Sequence, residues 1–249
     1  DTMKAYDLVL KGRELWYKFT AETNAEARDY YAKAIALDPT YGRAYASLAW
    51  SHLIEASERW SDDPKASLDA ALEAALQGTR INPDSHTNYS ALGQVYINKE
   101  MHAEALEAHQ RTISLNPNDP DGYLLYGRVL AYCGRNDEAV AQIEKGIQMN
   151  GNKPGWYDWM EGTVHYIGGR YEQSISAMRR SVSPGAGTYR WLAIAHAQLG
   201  QDEEAKAAAA EYLRRVPNYD FQHQLKTEPF LQDEDRAHYV DGMKKAGLA

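Results

Sequence analysis

Apolar and small residues recur along this chain at helical spacing, and the blocks they form come in pairs. In residues 86–119, Tyr89, Leu92, Gly93 and Tyr96 stand at i, i+3, i+4 and i+7, which is one face of a helix. A second stripe runs through Ala105, and Pro117 closes the block, because a proline ring cannot extend a helix through the preceding turn. After 34 residues the order returns as Tyr123, Tyr126, Gly127, Leu130, Gly134 and Ala139, with Gly151 in the place of the proline. Gly93 and Ala105 are small where two helices must cross, so each block predicts a helical hairpin with closely approaching backbones. Tyr89 and Tyr123 are expected to be buried. A hairpin of this kind cannot bury its stripe alone, and hairpins at a fixed period are expected to stack.

The remaining blocks are less even. The first (residues 5–40) has Gly12 at its crossing, Ala27, Tyr31 and Ala34 along its second helix, and Leu37-Asp38-Pro39 at its end. Its inter-helix turn, from about Phe19 to Asn24, reads as about three residues longer than the regular one. The second (41–85) carries Tyr45, Leu48, Ala49 and His52, then Ser57-Glu58-Arg59-Trp60-Ser61-Asp62-Asp63-Pro64. Pro39 and Pro83 are 44 residues apart, so this run is expected to bulge from one edge. Blocks 86–119 and 120–153 have no insertion. The fifth (154–185) and sixth (186–219) are marked by Gly169-Arg170-Tyr171 and Leu199-Gly200-Gln201. Beyond Pro217 the period stops, and Asp233 to about Ala246 predicts one more helix. Asp233, Glu234 and Asp235 crowd its first turn, Lys244 and Lys245 its last, and Gly247 follows as a stop. Tyr239, Val240 and Met243 form its apolar stripe. The chain opens at Asp1-Thr2-Met3 with the helical pattern running by Tyr6, which reads as a piece of something longer.

The order aromatic, Leu-Gly, aromatic, Ala, Pro resembles the tetratricopeptide repeat (TPR). The resemblance implies an all-α fold: a right-handed superhelical solenoid of about six helix-turn-helix repeats over residues 1–219, with a C-terminal capping helix in 220–249. Several runs are more specific: Trp60-Ser-Asp-Asp-Pro64-Lys-Ala-Ser-Leu68, Pro154-Gly-Trp156-Tyr157-Asp-Trp159 and Gly168-Gly-Arg-Tyr171. So are Leu192-Ala-Ile-Ala-His-Ala-Gln-Leu199-Gly200 and the tail from Pro229-Phe230 to Gly247-Leu248. These resemble the C-terminal TPR region of bacterial class III adenylate/guanylate cyclases, and related TPR regions also follow winged-helix transcription regulators. Glu161 beside Gly162 departs from the pattern, at a position that is usually apolar. The resemblance implies a regulatory or interaction segment of a signalling protein, attached to a catalytic or DNA-binding domain. Nothing in this sequence matches a cyclase catalytic domain, so no catalytic residue carries over.

Composition narrows the partners. A formal charge of −8 and a pI near 5.5 disfavour nucleic acid and anionic membranes. No apolar run approaches the ~18 residues of a membrane span, so no direct membrane insertion is expected. Cys133 is the single cysteine, which leaves no internal disulfide and fits a reducing compartment. The reading is of a soluble segment that favours the cytoplasm, with the periplasm left open.

Candidate chemistry is sparse. His52, His165 and His196 take a position usually given to a packing aromatic and are expected to pack between helices. His102 and His109 are seven residues apart, with no further ligand to complete a metal set. Gly185-Ala-Gly187 reads as an inter-repeat turn, and Glu203-Glu204 and Asp62-Asp63 as solvated surface. There is no HExxH, GxSxG or Walker-type loop. The expectation is a non-catalytic chain without cofactor or metal.

Function is then expected in the concave groove. The resemblance implies that first helices line it and that ligand contacts cluster at repeat positions 2, 5, 9, 12 and 13. Those positions select Tyr6, Arg13, Trp16 and Tyr17, then Arg43, Trp50 and Leu53, then Gln94 and Asn98. They continue with Asp121, Arg128 and Tyr132, and end with Trp156, Trp159, Tyr166 and Arg190. Trp156 and Trp159 face either the groove or the inter-repeat core. Tryptophan, tyrosine and arginine are the residues of interface hot spots, and arginine offers carboxylates a fork. The expected ligand is a protein or peptide with acidic and apolar side chains. The Lys/Asn clamp for a chaperone's terminal carboxylate is absent, since position 5 holds Val9, Ala46 and Ser90 in the first three repeats. A self-assembling array and a small-molecule sensor are the alternatives.

Overall fold

The computed structural model describes every residue except Asn152 and Ser183. Among the described residues it contains fourteen α-helices and no strand. They divide into two compact units, Asp1–Pro117 and Asn118–Ala249.

The first unit has three hairpins: α1 (Thr2–Trp16) with α2 (Ala21–Leu37), α3 (Gly42–Ser57) with α4 (Pro64–Ile81), and α5 (His86–Asn98) with α6 (His102–Leu115). Within each hairpin the two helices pack on each other, and successive first helices pack as α1 on α3 and α3 on α5. The core is built from small residues at the crossings. Ala5, Ala27, Ala34 and Ala44 are fully buried around Val9 and Tyr31, while Ala46, Ala49, Ala71, Ala75 and Val95 form the next cluster. A Cβ on Gly12 would lie 2.5 Å from the Tyr31 ring, so the α1/α2 approach requires glycine there.

The ten extra residues of the second block do not bulge. Measured against the third hairpin, three lengthen α3, four lengthen α4 and three widen the turn. Asp63 caps α4 by accepting from the Ala66 N–H at 3.0 Å, and Pro64 takes the first helical position, where its missing N–H costs nothing. The first turn is also shorter than its sequence suggested. Thr20 and Thr23 form a reciprocal capping box that starts α2 at Ala21. Asn24 therefore lies inside the helix, buried, donating to the Ser51 carbonyl at 3.1 Å and accepting from its hydroxyl at 2.8 Å.

The second unit repeats the scheme with α7 (Pro120–Tyr132), α8 (Asn136–Met149), α9 (Gly155–Ile167), α10 (Tyr171–Arg180), α11 (Ala186–Gln198) and α12 (Asp202–Arg215). Two further helices follow, α13 (Phe221–Lys226) and α14 (Asp233–Lys245). First helices again stack, α7 on α9 and α9 on α11. Glu161, the polar departure in the fifth hairpin, is answered by Arg180. That guanidinium pairs with Glu161 and, at 3.2 Å, with Asp158, which also receives Lys153 at 2.7 Å. Beside it, Met178 fills the space above Gly162, where a Cβ would come within 2.5 Å of it. The capping helix α14 is present, and it docks on α11, a first helix.

Candidate functional site

In the first unit α1 and α3 carry the positions singled out for ligand contact. Tyr6 and Arg13 lie along α1 and Tyr17 caps its C-terminal end; all three are exposed, Tyr17 to 70%. Arg43, at the start of α3, is exposed as well. Partial burial raises the Tyr41 phenol, and the charges of Arg43 and Arg13 partly offset that rise. Among the described residues no carboxylate pairs with Arg13 or Arg43. Trp16 is half-buried on the Val9/Tyr31 cluster, with the Tyr17 ring edge-on at 5.3 Å. Trp50 is half-buried over Ala46 and Ala49.

Further along the unit the expected contacts turn inward. Leu53 is a core residue. Gln94 is 2% exposed and engages His109 Nε2 at 3.0 Å across the α5/α6 crossing, so it holds the hairpin together. The half-buried Asn98 donates back to the Gln94 carbonyl at 2.8 Å.

In the second unit the equivalent positions meet the chain's own C-terminal segment. After α13, which has no buried residue, the chain turns at Glu228-Pro229-Phe230 onto the face built by α7, α9 and α11. Glu228 is 4% exposed. One of its oxygens accepts from the Tyr132 hydroxyl, and the other accepts from Arg190 at 2.6 Å and from Gln224 at 3.3 Å. Arg190 also donates to the Tyr239 hydroxyl and lies over the Trp191 ring at 5.0 Å. Phe230 packs edge-on against Tyr132 at 5.2 Å and beside Tyr239 at 5.5 Å, while the Leu231 N–H donates to the Tyr132 carbonyl. Lower on α14, His238 stacks on Tyr166 at 5.0 Å, and a Cβ on Gly242 would collide with the Tyr166 hydroxyl.

Burial dominates the electrostatics here. It pushes the Tyr132 and Tyr239 phenols up, and the Glu228 charge adds to the shift, so both hydroxyls stay protonated. Burial also lowers His238, whose Nε2 lies 2.7 Å from the Tyr171 hydroxyl. A ring without a proton on Nε2 accepts a hydrogen bond from that hydroxyl.

Arg128, Tyr132 and Trp159 are likewise brought together, the guanidinium lying 5.6 Å from each ring centroid. Trp159 is half-buried, and its indole nitrogen would be 3.2 Å from a Cβ on Gly187, so it sits between hairpins. Trp156 stands apart: it is exposed, with its ring edge-on to Tyr157 at 4.5 Å. Asp121 accepts from the Tyr157 hydroxyl. Sequence reasoning missed Glu228, Phe230, His238 and Gly242 as site residues. Their signal is Pro229 and the distinctive tail, which by pattern alone reads only as an end cap.

Nucleophiles and ligand sets are scarce. Burial raises the Cys133 thiol to about 11, which suppresses the reactive thiolate. Among the described residues no group of three His, Cys, Asp or Glu is arranged to hold a metal. His196 is buried with its Nδ1 2.5 Å from Gln201, and His52 and His165 are half-buried, with their pKa lowered by burial. No described helix is long and apolar enough to cross a membrane.

Residues 86–119 and 120–153 each match the tetratricopeptide repeat model. No curated protein matches the chain. The Cut9–Hcn1 hetero-tetramer of APC/C contains a chain that superposes with a TM-score of 0.67 at 18% identity, over 92% of this chain and 46% of that one. This chain thus spans about half of that relative's length. PilF of Pseudomonas aeruginosa superposes at 0.59 with 14% identity, over 89% and 96% of the two chains. A thermophilic TPR protein of Thermus thermophilus, TTC0263, gives 0.58 with 14% identity, over 96% and 99%. At these identities the likeness is one of fold. The third and fourth hairpins are tetratricopeptide repeats, and the chain has the tetratricopeptide fold.

Proposed function

We propose that this chain is a non-catalytic protein-interaction module that binds a partner peptide on the first-helix face of its first unit. Arg13 and Arg43 take acidic side chains there, and Trp16, Tyr17 and Trp50 take apolar anchors. The observation that carries the reading is the pair of exposed arginines on α1 and α3, without carboxylate partners among the described residues, with exposed Tyr6 and Tyr17 on and just after α1, in a chain of net charge −8. An arginine fork next to aromatic rings is suited to carboxylate-bearing peptides. The Trp60 run and the tail support a place within a bacterial signalling protein, as a regulatory part. Tyr132, Tyr166 and Arg190 belong to a second face that the C-terminal segment covers, so they are not the primary contact for a partner.

A peptide-display library selected against the full chain tests this. Enriched peptides should carry Asp or Glu close to Trp, Phe or Tyr. Their affinity should fall on the order of 30-fold in Trp50→Ala, the scale of a hot-spot loss of about 2 kcal/mol. Arg13→Ala/Arg43→Ala should weaken them as much, with helicity unchanged in both variants. Selected peptides that bind all three proteins equally would sink the reading.

A further inference from the structure

The face of the second unit has the features of a ligand site, with a ligand already in it. We propose that residues 227–248 are a resident ligand, and that the seat beneath them recognises in trans a peptide presenting a glutamate two residues ahead of an aromatic. This inference concerns the second unit and stands independently of the reading of the first.

Three observations carry it. The seat is polar where a structural cap would be served by apolar contact alone. Arg190, 5% exposed, finds its carboxylate in Glu228, and Tyr132 donates to the same group. A buried ion pair contributes little net stability against an apolar replacement but is exacting about what sits opposite it, which is the behaviour of a recognition contact. The receptor side chains also come from three first helices: Tyr132 ends α7, Tyr166 lies on α9, and Arg190 and Ile194 lie on α11. Finally, the hairpins beneath have cores of their own. Gly127 packs on Ile143, Gly162 on Met178, and Leu124, Leu130, Val164 and Ala193 are buried along the same helices. The segment is tethered through α13, which contributes no buried residue. Pro229 restricts the backbone between the glutamate and the aromatic, which lowers the entropy lost on docking.

The test uses the full chain and a fluorescently labelled synthetic peptide of residues 226–249. Glu228→Ala/Phe230→Ala/Tyr239→Ala should empty the seat while the hairpins keep their helicity. That variant should bind the peptide one to one, at least ten-fold more tightly than the wild type, whose seat is filled. Adding Arg190→Ala, or using a Glu228→Gln peptide, should remove at least ten-fold of that affinity, whereas Arg13→Ala/Arg43→Ala should not. A folded triple variant that ignores the peptide, or binds it equally well without Arg190, would overturn the proposal. Loss of hairpin helicity in the triple variant would overturn it too, because the segment would then be part of the core; Phe230→Ala alone, still closed to the peptide but with the hairpins destabilised, would say the same.

Discussion

Tyr89 and Tyr123 occupy the same position of successive repeats and meet different surroundings. Tyr123 is 2% exposed with Lys145 over its ring, whereas Tyr89 is half-buried with Arg111 at 5.8 Å. Tyr123→Ala should therefore cost about 3–5 kcal/mol in urea unfolding and Tyr89→Ala clearly less. The repeat period was legible in both residues. The depth of burial was not, because it depends on side chains far along the sequence. Gln94 is a similar case: its repeat position suggested a ligand contact, but its amide is spent on His109, a partner no local pattern announces. Three histidines bear on pH dependence. Burial lowers His52, His165 and His238, so the folded state binds their protons less readily than the unfolded chain, which protonates near the ordinary 6.5. Below that pH the unfolded state binds more protons, so stability is lost as pH falls through 6.5. Asp235 and Asp241 face His238 and favour its proton, Lys245 opposes it, and burial outweighs all three. Asp235 itself, raised by burial, acts in the opposite sense in the carboxylate range. The melting temperature should be lower at pH 5.5 than at 7.5, and His238→Gln should reduce the difference; an unchanged difference would remove His238 from this effect.

At the scale of elements, helix starts and stops are legible where capping chemistry is local. The acidic first turn and basic last turn of α14 lie where the charge pattern puts them. Surplus residues are harder to place. Ten extra positions in the second block look like a bulge, yet α3 and α4 absorb seven of them. Ala-rich sequence extends a helix at little cost, so length alone does not locate an insertion. The first turn is shorter than its sequence suggests for a related reason: the Thr20/Thr23 box begins α2 early. Thr20→Ala should cost about 1 kcal/mol in thermal or urea unfolding, and no loss would mean that Asn24 and Ser51 alone fix the start of this helix. The tail was legible as a helix. Its docking was not, because Glu228 and Arg190 are 38 residues apart and their pairing depends on the fold of the two intervening helices.

For the whole molecule, the period alone was enough to name an all-α hairpin array, since a fixed repeat leaves little freedom in how neighbours stack. The positions expected to line the groove differ in exposure between the two units. In the first unit Arg13, Tyr17 and Arg43 are exposed, whereas in the second Tyr132, Tyr166 and Arg190 lie under the chain's own segment. Equal repeat positions thus carry unequal roles, and the composition of Trp, Tyr and Arg that suggested an interface describes both an open face and a filled one. The most direct measurement is hydrogen exchange of the full chain with and without a selected acidic, aromatic peptide. New protection should appear only along α1 and α3, with residues 228–242 unchanged. Protection gained instead along α7, α9 and α11, or at no site despite binding, would contradict it.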